Sequence, residues 1–222
     1  MLRDAALVAG KDLRIELRSR VATNQVAPFA LLVLIVFAFA LDPDRGVLAK
    51  AAPGLFWLAV VFSTLLALQR SFAIEVADSG RDGLRLSGLD PAGIFLGKAA
   101  ALAVELVVLE VVLGIGVVVL YNAALSGAVL LATTCVLATI GLAAAGTVFG
   151  VLVAGTRVRD TLLPLLLLPV LAPLVLGATR ATEFALAGEA SGGWAWVHLL
   201  GVFAAVYVAF GIVAFGPLLE ES

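Results

Sequence analysis

The sequence predicts an all-α polytopic membrane protein, on three observations. Hydrophobic residues make up 63% of its 222 residues and charged residues only 14%, about half the charged share of a soluble domain. The uncharged residues gather into runs long enough to cross a bilayer. The formal net charge of −2 argues against capture of nucleic acid by bulk charge. A single cysteine, Cys135, excludes a disulfide framework and a Cys-rich zinc site, and no metal site is predicted.

The uncharged runs predict six transmembrane helices in a single domain, residues 1–222, because lipid cannot solvate an ion. The longest run, 111–156, is too long for one helix and must fold back. The turn-like stretch 121–127 supplies the break. The predicted spans are about 23–41, 52–69, 92–120, 127–154, 161–180 and 195–218. Within the fifth span, Pro169 and Pro173 are expected to bend or break the helix, since each removes a backbone hydrogen bond.

Residues 1–21 precede these spans and predict an amphipathic interfacial helix. An apolar stripe runs along it, formed by Leu2, Ala6, Ala9, Leu13 and Leu17. The basic residues Lys11, Arg14 and Arg18 lie off the stripe and can reach lipid headgroups. The alternative is a merely soluble arm. The segment lacks the apolar centre of a cleavable signal peptide.

The positions of Lys and Arg predict the orientation. Eleven of the 14 basic residues fall on the side that holds both termini and the connection between the second and third helices. Only Arg45, Lys50 and Arg180 fall on the other side. Both termini are therefore expected in the cytoplasm.

The connection 70–91 is the most polar stretch between two predicted spans. Its charged residues include Arg70, Glu75, Asp78, Arg81 and Asp82. Residues 73–79 are expected to form a small separate helix that Gly80 ends. The connection is either a rigid element that a partner grips or a solvated loop. A third interpretation is a membrane enzyme that uses the aspartates between Asp78 and Asp90, but the second aspartate pair of such a site is missing, and no catalytic residue is predicted.

Two carboxylates lie within the third predicted helix. Glu105 and Glu110 are about 10 and 18 Å deeper than Lys98 along the helix axis. Because an ionised carboxylate is costly there, each should face protein or water. The alternatives are hydrogen bonding between helices and contact with a substrate.

The opposite, external side offers weaker candidates. Residues 179–193, with Glu183 and Glu189, are expected to form the largest external loop and a surface for partners. His198, the single histidine, is a weak candidate for a heme ligand, the alternative being an ordinary interfacial histidine. Gly146, Gly150 and Ala154 form a small-residue face that allows close packing, within the subunit or between two subunits.

The segment Ala52–Phe72, APGLFWLAVVFSTLLALQRSF, resembles the second helix of the heme exporter protein B (CcmB) family. The proline-punctuated segment Leu162–Pro173 is similar to the fifth helix of that family, and the resemblance extends over the length and the six-helix layout. One departure is Gln69, where the family usually has Glu.

The resemblance implies an ABC-2-type (type V exporter-like) permease subunit without an ATPase site, in a bacterial cytoplasmic (inner) membrane. It implies two copies paired with a CcmA-like ATP-binding subunit, which holds ATP and Mg²⁺, together with CcmC-like and CcmD-like membrane subunits. The complex would act on heme and on a CcmE-like heme chaperone, with no cofactor held by this chain. Heme export and ATP-driven release of the loaded chaperone both stay open. The alternative within transport is an ABC-2-type permease for a lipid, polysaccharide or drug.

Overall fold

The computed structural model describes residues 1–19, 26–40, 46–77, 88–121, 126–156 and 158–221. Within these ranges the chain forms seven α-helices. They are α1 Leu2–Ser19, α2 Ala27–Ala40, α3 Val47–Ala77, α4 Pro91–Tyr121, α5 Ala128–Ala154, α6 Arg159–Ala187 and α7 Ala190–Glu221. The sequence-based prediction of an all-α chain is confirmed.

Five of these helices are long and apolar enough to cross a membrane. The candidate spans are Lys50–Ser71, Pro91–Leu120, Ala128–Ala154, Arg159–Ala187 and Ala190–Leu219. The first predicted span, 23–41, corresponds to the shorter apolar helix α2, whose 14 residues rise about 21 Å against a hydrocarbon core of about 30 Å. The protein is therefore a polytopic membrane protein, with five long candidate spans and one shorter apolar helix among the residues that the structure describes.

Helix α5 lies at the centre of the bundle and is buried from Thr139 to Gly150 on most of its surface. Small residues make this possible, because a Cβ atom at Gly146 would lie only 2.6 Å from Leu68 Cδ1 of α3. Gly141 likewise faces Leu174 of α6. The small-residue face of this helix thus packs within the subunit at Gly146.

Three local predictions are wrong. The predicted break at Pro169 and Pro173 is wrong, since helix α6 continues through both prolines, and neighbouring helices can compensate for a lost backbone bond in a membrane helix; a bend there stays a prediction. The external loop 179–193 is absent: α6 continues to Ala187, and Gly188, at φ +78°, caps it through its N–H to the Phe184 carbonyl before α7 begins. The separate helix 73–79 is also wrong in its described part, because residues 73–77 continue α3, which ends at Ala77.

Candidate functional site

The charged residues predicted to couple the subunit to a partner fall at the end of α3 and beyond it. Arg70 is half-buried on α3, and Glu75 belongs to the last turns of the same helix. Asp78, Arg81 and Asp82 lie outside the described residues. The structure therefore positions one of the five side chains and the backbone of a second.

Arg70 belongs to a cluster of charged side chains from three helices, which we call the charged junction. Its members are Lys11, Asp12 and Glu16 of α1, Arg70 of α3, and Lys98 and Glu105 of α4. They line one cavity of about 60 Å³, which is room for a few water molecules. The junction joins the N-terminal helix to two of the long helices.

The centre of the junction is a buried ion pair between α1 and α4. Lys98 is only 6% exposed, and its Nζ lies 3.5 Å from Asp12 Oδ2. The other oxygen of Asp12 lies 2.7 Å from Lys11 Nζ. A buried ammonium is costly unless it is paired, so the Asp12 carboxylate fixes where α1 lies against α4.

The second half of the junction surrounds Glu105. This carboxyl group is within electrostatic range of Arg70 and of Glu16. Arg70 Nε is buried and has no hydrogen-bond partner among the described residues. Glu105 also lines a second cavity, of about 170 Å³, together with the fully buried Ser63. Glu105 therefore lies between the junction and a mostly apolar cavity along the contact between α3 and α4.

Helix α1 lies alongside the first turns of α4, where two glycines of α4 allow the close approach. A Cβ atom at Gly93 would lie 2.8 Å from the Met1 carbonyl oxygen, and one at Gly97 would lie 2.6 Å from that of Ala5. Later residues of α1 contact later residues of α4, so the two helices run parallel, in the direction of Lys98. The interfacial position of α1 in the bilayer stays a prediction.

The start of α1 is tied to the start of α4 by Asp4. Its Oδ2 accepts hydrogen bonds from the amino group of Met1 at 3.0 Å and from the backbone N–H of Asp90 at 3.4 Å. The bond from the Met1 amino group lowers the pKa of the Asp4 carboxyl below its ordinary value. The ionised form of Asp4 is therefore the one that holds the two helix ends together.

Glu110 has a different environment from Glu105. It is 6% exposed, and its Oε1 accepts a 2.6 Å hydrogen bond from the Thr139 hydroxyl of α5. This is the hydrogen bonding between helices that the sequence offered as one of two roles. Glu110 also lines a cavity of about 100 Å³ beside Thr182, whose hydroxyl accepts a 2.9 Å bond from Trp57 Nε1.

The remaining predicted residues do not gather into a site. Glu183 is exposed and pairs with Arg180 at 2.8 Å, and Glu189 is exposed beside the turn at Gly188. His198 lies on an exposed position of α7. In the described part of the chain, no group of three or more His, Cys, Asp or Glu residues could hold a metal ion.

Sequence reasoning missed the partners on α1 and one contact of α3. Asp12 and Glu16 are four residues apart and share a helix face, which was the available signal for a docking face. Gln69 donates through Nε2 to the Asp160 carbonyl oxygen at 3.1 Å and so joins α3 to the start of α6. Nothing in the local sequence indicates that contact.

Together, the long apolar helices and the buried junction define a polytopic helical membrane protein with a charged joint between α1, α3 and α4. The chain belongs to the CcmB protein family, a family of permease subunits, whose family model matches residues 4–222. It is 32% identical over 90 residues to heme exporter protein B of Escherichia coli K12, which is 40% of this chain and 41% of that protein.

Two further relatives carry the same name. Heme exporter protein B of Paracoccus denitrificans is 33% identical over 91 residues, 41% of this chain and 42% of the relative. That of Rhodobacter capsulatus is 30% identical over 91 residues, with the same shares. The aligned part thus spans about two fifths of the length of the relatives it matches.

Proposed function

We propose that this chain is the permease subunit of an ABC-type complex in c-type cytochrome maturation. Two copies would pair with a CcmA-like ATP-binding subunit and associate with CcmC-like and CcmD-like membrane subunits. Heme is the substrate of the complex, which exports it or releases a heme-loaded CcmE-like chaperone. The family and the name of the relatives, heme exporter protein B, support this proposal.

The observation that carries the coupling mechanism is the unbroken helix α3. Its 31 residues, Val47–Ala77, run about 46 Å from end to end. Glu75 lies in the last turns, and the charged segment that contains Asp78 and Asp82 follows directly. A partner that grips this segment acts on the end of a rigid rod, so a displacement there is transmitted along the whole helix.

Contacts along α3 define which elements follow such a displacement. Trp57 hydrogen-bonds to Thr182 and Gln69 to the Asp160 backbone, both on α6. Arg70 lies in the charged junction with α1 and α4. Nucleotide-driven closure of the ATP-binding subunit would therefore tilt α3 and carry α1, α4 and α6 with it.

We place the gripped end of α3 in the cytoplasm, together with both termini. Eleven of the 14 basic residues lie on that side, as the positive-inside rule requires. The ATP-binding subunit has access to that face alone. Consider a reporter that is active only outside the cytoplasm, fused to the C-terminus. Activity of that reporter would contradict this orientation.

The test uses the complex purified with its ATP-binding subunit. In the double variant Glu75→Lys/Asp78→Lys, reversed charges oppose docking, and we expect loss of the ATP-binding subunit or at least tenfold lower coupled turnover. The matched control, Glu183→Lys/Glu189→Lys, reverses two exposed charges on the other side and should behave as the wild type. Unchanged assembly and turnover in the first variant would contradict the mechanism.

A separate experiment tests the substrate. Deletion of the coding sequence, followed by a heme stain of membranes, should remove the covalently bound heme of c-type cytochromes. A normal stain would favour a permease for a lipid, polysaccharide or drug. Nucleotide breakdown by the purified chain alone would favour the enzyme interpretation.

A further inference from the structure

Helix α1 has one face that is occupied by α4. This docking face contains the side chains of Asp4, Val8 and Asp12, which recur at helical spacing. Val8 is only 3% exposed and contacts Gly97. Exposed residues of α1, such as Leu2, Leu7 and Arg14, lie outside this docking face.

The second face is apolar and exposed. It is the stripe predicted from the sequence, and its ends stand clear of the bundle, with Leu2 80% and Leu17 76% exposed. Between them, Ala6 is exposed and Leu13 is half-buried. Exposed apolar side chains in a continuous stripe mark a surface for lipid or for an apolar partner.

The third face is basic and contains a shallow groove. Lys11, Arg14 and Arg18 line the groove with Leu7 and Gly10, and its volume is about 400 Å³. A Cβ atom at Gly10 would meet nothing within 4 Å, so the floor of the groove is open. Among the described residues, neither Arg14 nor Arg18 has an ion-pair partner.

We propose that this groove binds the phosphate headgroup of an anionic phospholipid, while the acyl chains cover the adjacent stripe from Leu2 to Leu17. The guanidinium groups of Arg14 and Arg18 match the geometry of a phosphate. One lipid satisfies both exposed faces at once, whereas an acidic protein on the basic face would leave the stripe in water. The inference does not depend on what the complex transports.

The basic groove lies next to the charged junction. Lys11 lines both the groove and the charged junction, where it contacts Asp12. A headgroup in the groove therefore adds negative charge next to the ion pair that holds α1 against α4.

The experiment measures lipid retention by the full-length chain in detergent, using native mass spectrometry with phosphatidylglycerol against phosphatidylcholine. The wild type should prefer phosphatidylglycerol, and 1 M salt should weaken the preference by screening. The double variant Arg14→Gln/Arg18→Gln should lose roughly thirtyfold in phosphatidylglycerol affinity, at about five- to sixfold per arginine. The control Arg159→Gln/Arg180→Gln removes as much charge elsewhere and should keep the preference.

A second variant separates the groove from charge alone. Gly10→Leu fills the floor without changing any charge and should also weaken retention. The proposal is overturned if the wild type shows no preference, or if both double variants lose it equally. It is also overturned if Arg14→Gln/Arg18→Gln retains lipid as before but releases the ATP-binding subunit from the complex, because the basic face would then serve a protein.

Discussion

A single methyl group at Gly97 should lift α1 from α4. In Gly97→Ala the new Cβ would lie 2.6 Å from the Ala5 carbonyl oxygen, whereas ordinary contacts begin at 3.4 Å, so that oxygen must retreat by about 0.8 Å. The obstacle is backbone, which cannot swing aside as a flexible side chain would. Overpacking of this kind costs about 1–3 kcal/mol.

The control for this variant is Gly114→Ala in the same helix, where a Cβ would meet nothing within 4 Å. Both changes gain the same helix propensity, about 1 kcal/mol, so the difference between them isolates the contact with α1. At about 3 °C per kcal/mol, Gly97→Ala should melt roughly 3–9 °C below the control. The measurement is thermal unfolding of the purified chain in detergent.

Labelling of a cysteine reports directly on the position of α1. In a Cys135→Ala background, Val8→Cys should resist a maleimide reagent, because position 8 is 3% exposed. Adding Gly97→Ala should make that cysteine reactive, and adding Gly114→Ala should not. Equal melting temperatures for the two glycine variants, with position 8 protected in both, would refute the close contact between α1 and α4.

Two further predictions concern buried polar pairs. Thr139→Val removes the hydroxyl that binds Glu110 and should cost about 0.5–2 kcal/mol of stability. The control Thr133→Val, whose hydroxyl bonds within its own helix, should cost less. Equal losses of stability in thermal unfolding would contradict the role of the Thr139–Glu110 pair. Asp12→Leu removes the carboxylate that pairs with buried Lys98 and should cost about 3 kcal/mol, while Asp12→Leu with Lys98→Met should recover most of the loss. A double variant that is less stable than the single one would show that the pair is net stabilising.

The bundle was largely predictable because membrane spans depend on local composition. The turn between α4 and α5 is an example, since Tyr121 ends one helix and Ala128 begins the next, as the run of turn residues predicted. The predicted break at the prolines of α6 was wrong because helix propensity in water overestimates the effect of proline in a packed membrane helix. The prediction of a loop at 179–193 was wrong because charged residues are compatible with the exposed surface of a helix, where Glu183 pairs with Arg180.

The charged junction could not be predicted, because it depends on residues far apart in the chain. Asp12 and Lys98 each fit an ordinary local interpretation, one as part of an amphipathic helix and the other near a helix start. Their pairing follows only once Gly97 allows α1 to approach. The local sequence pattern predicts the helices, whereas the contacts between helices can be identified only in the folded structure.

The docking of α1 on α4 also constrains biosynthesis. Asp4 and Asp90, which join the two helix starts, are 86 positions apart in the chain. At a translation rate of about 5–20 residues per second, roughly 4–17 s pass between the synthesis of α1 and the synthesis of the glycine-containing surface of α4 on which it docks. During that interval α1 lacks the surface of α4 on which it docks, so the bilayer or a chaperone must cover the docking face, and this contact forms only after α2 and α3 have been made.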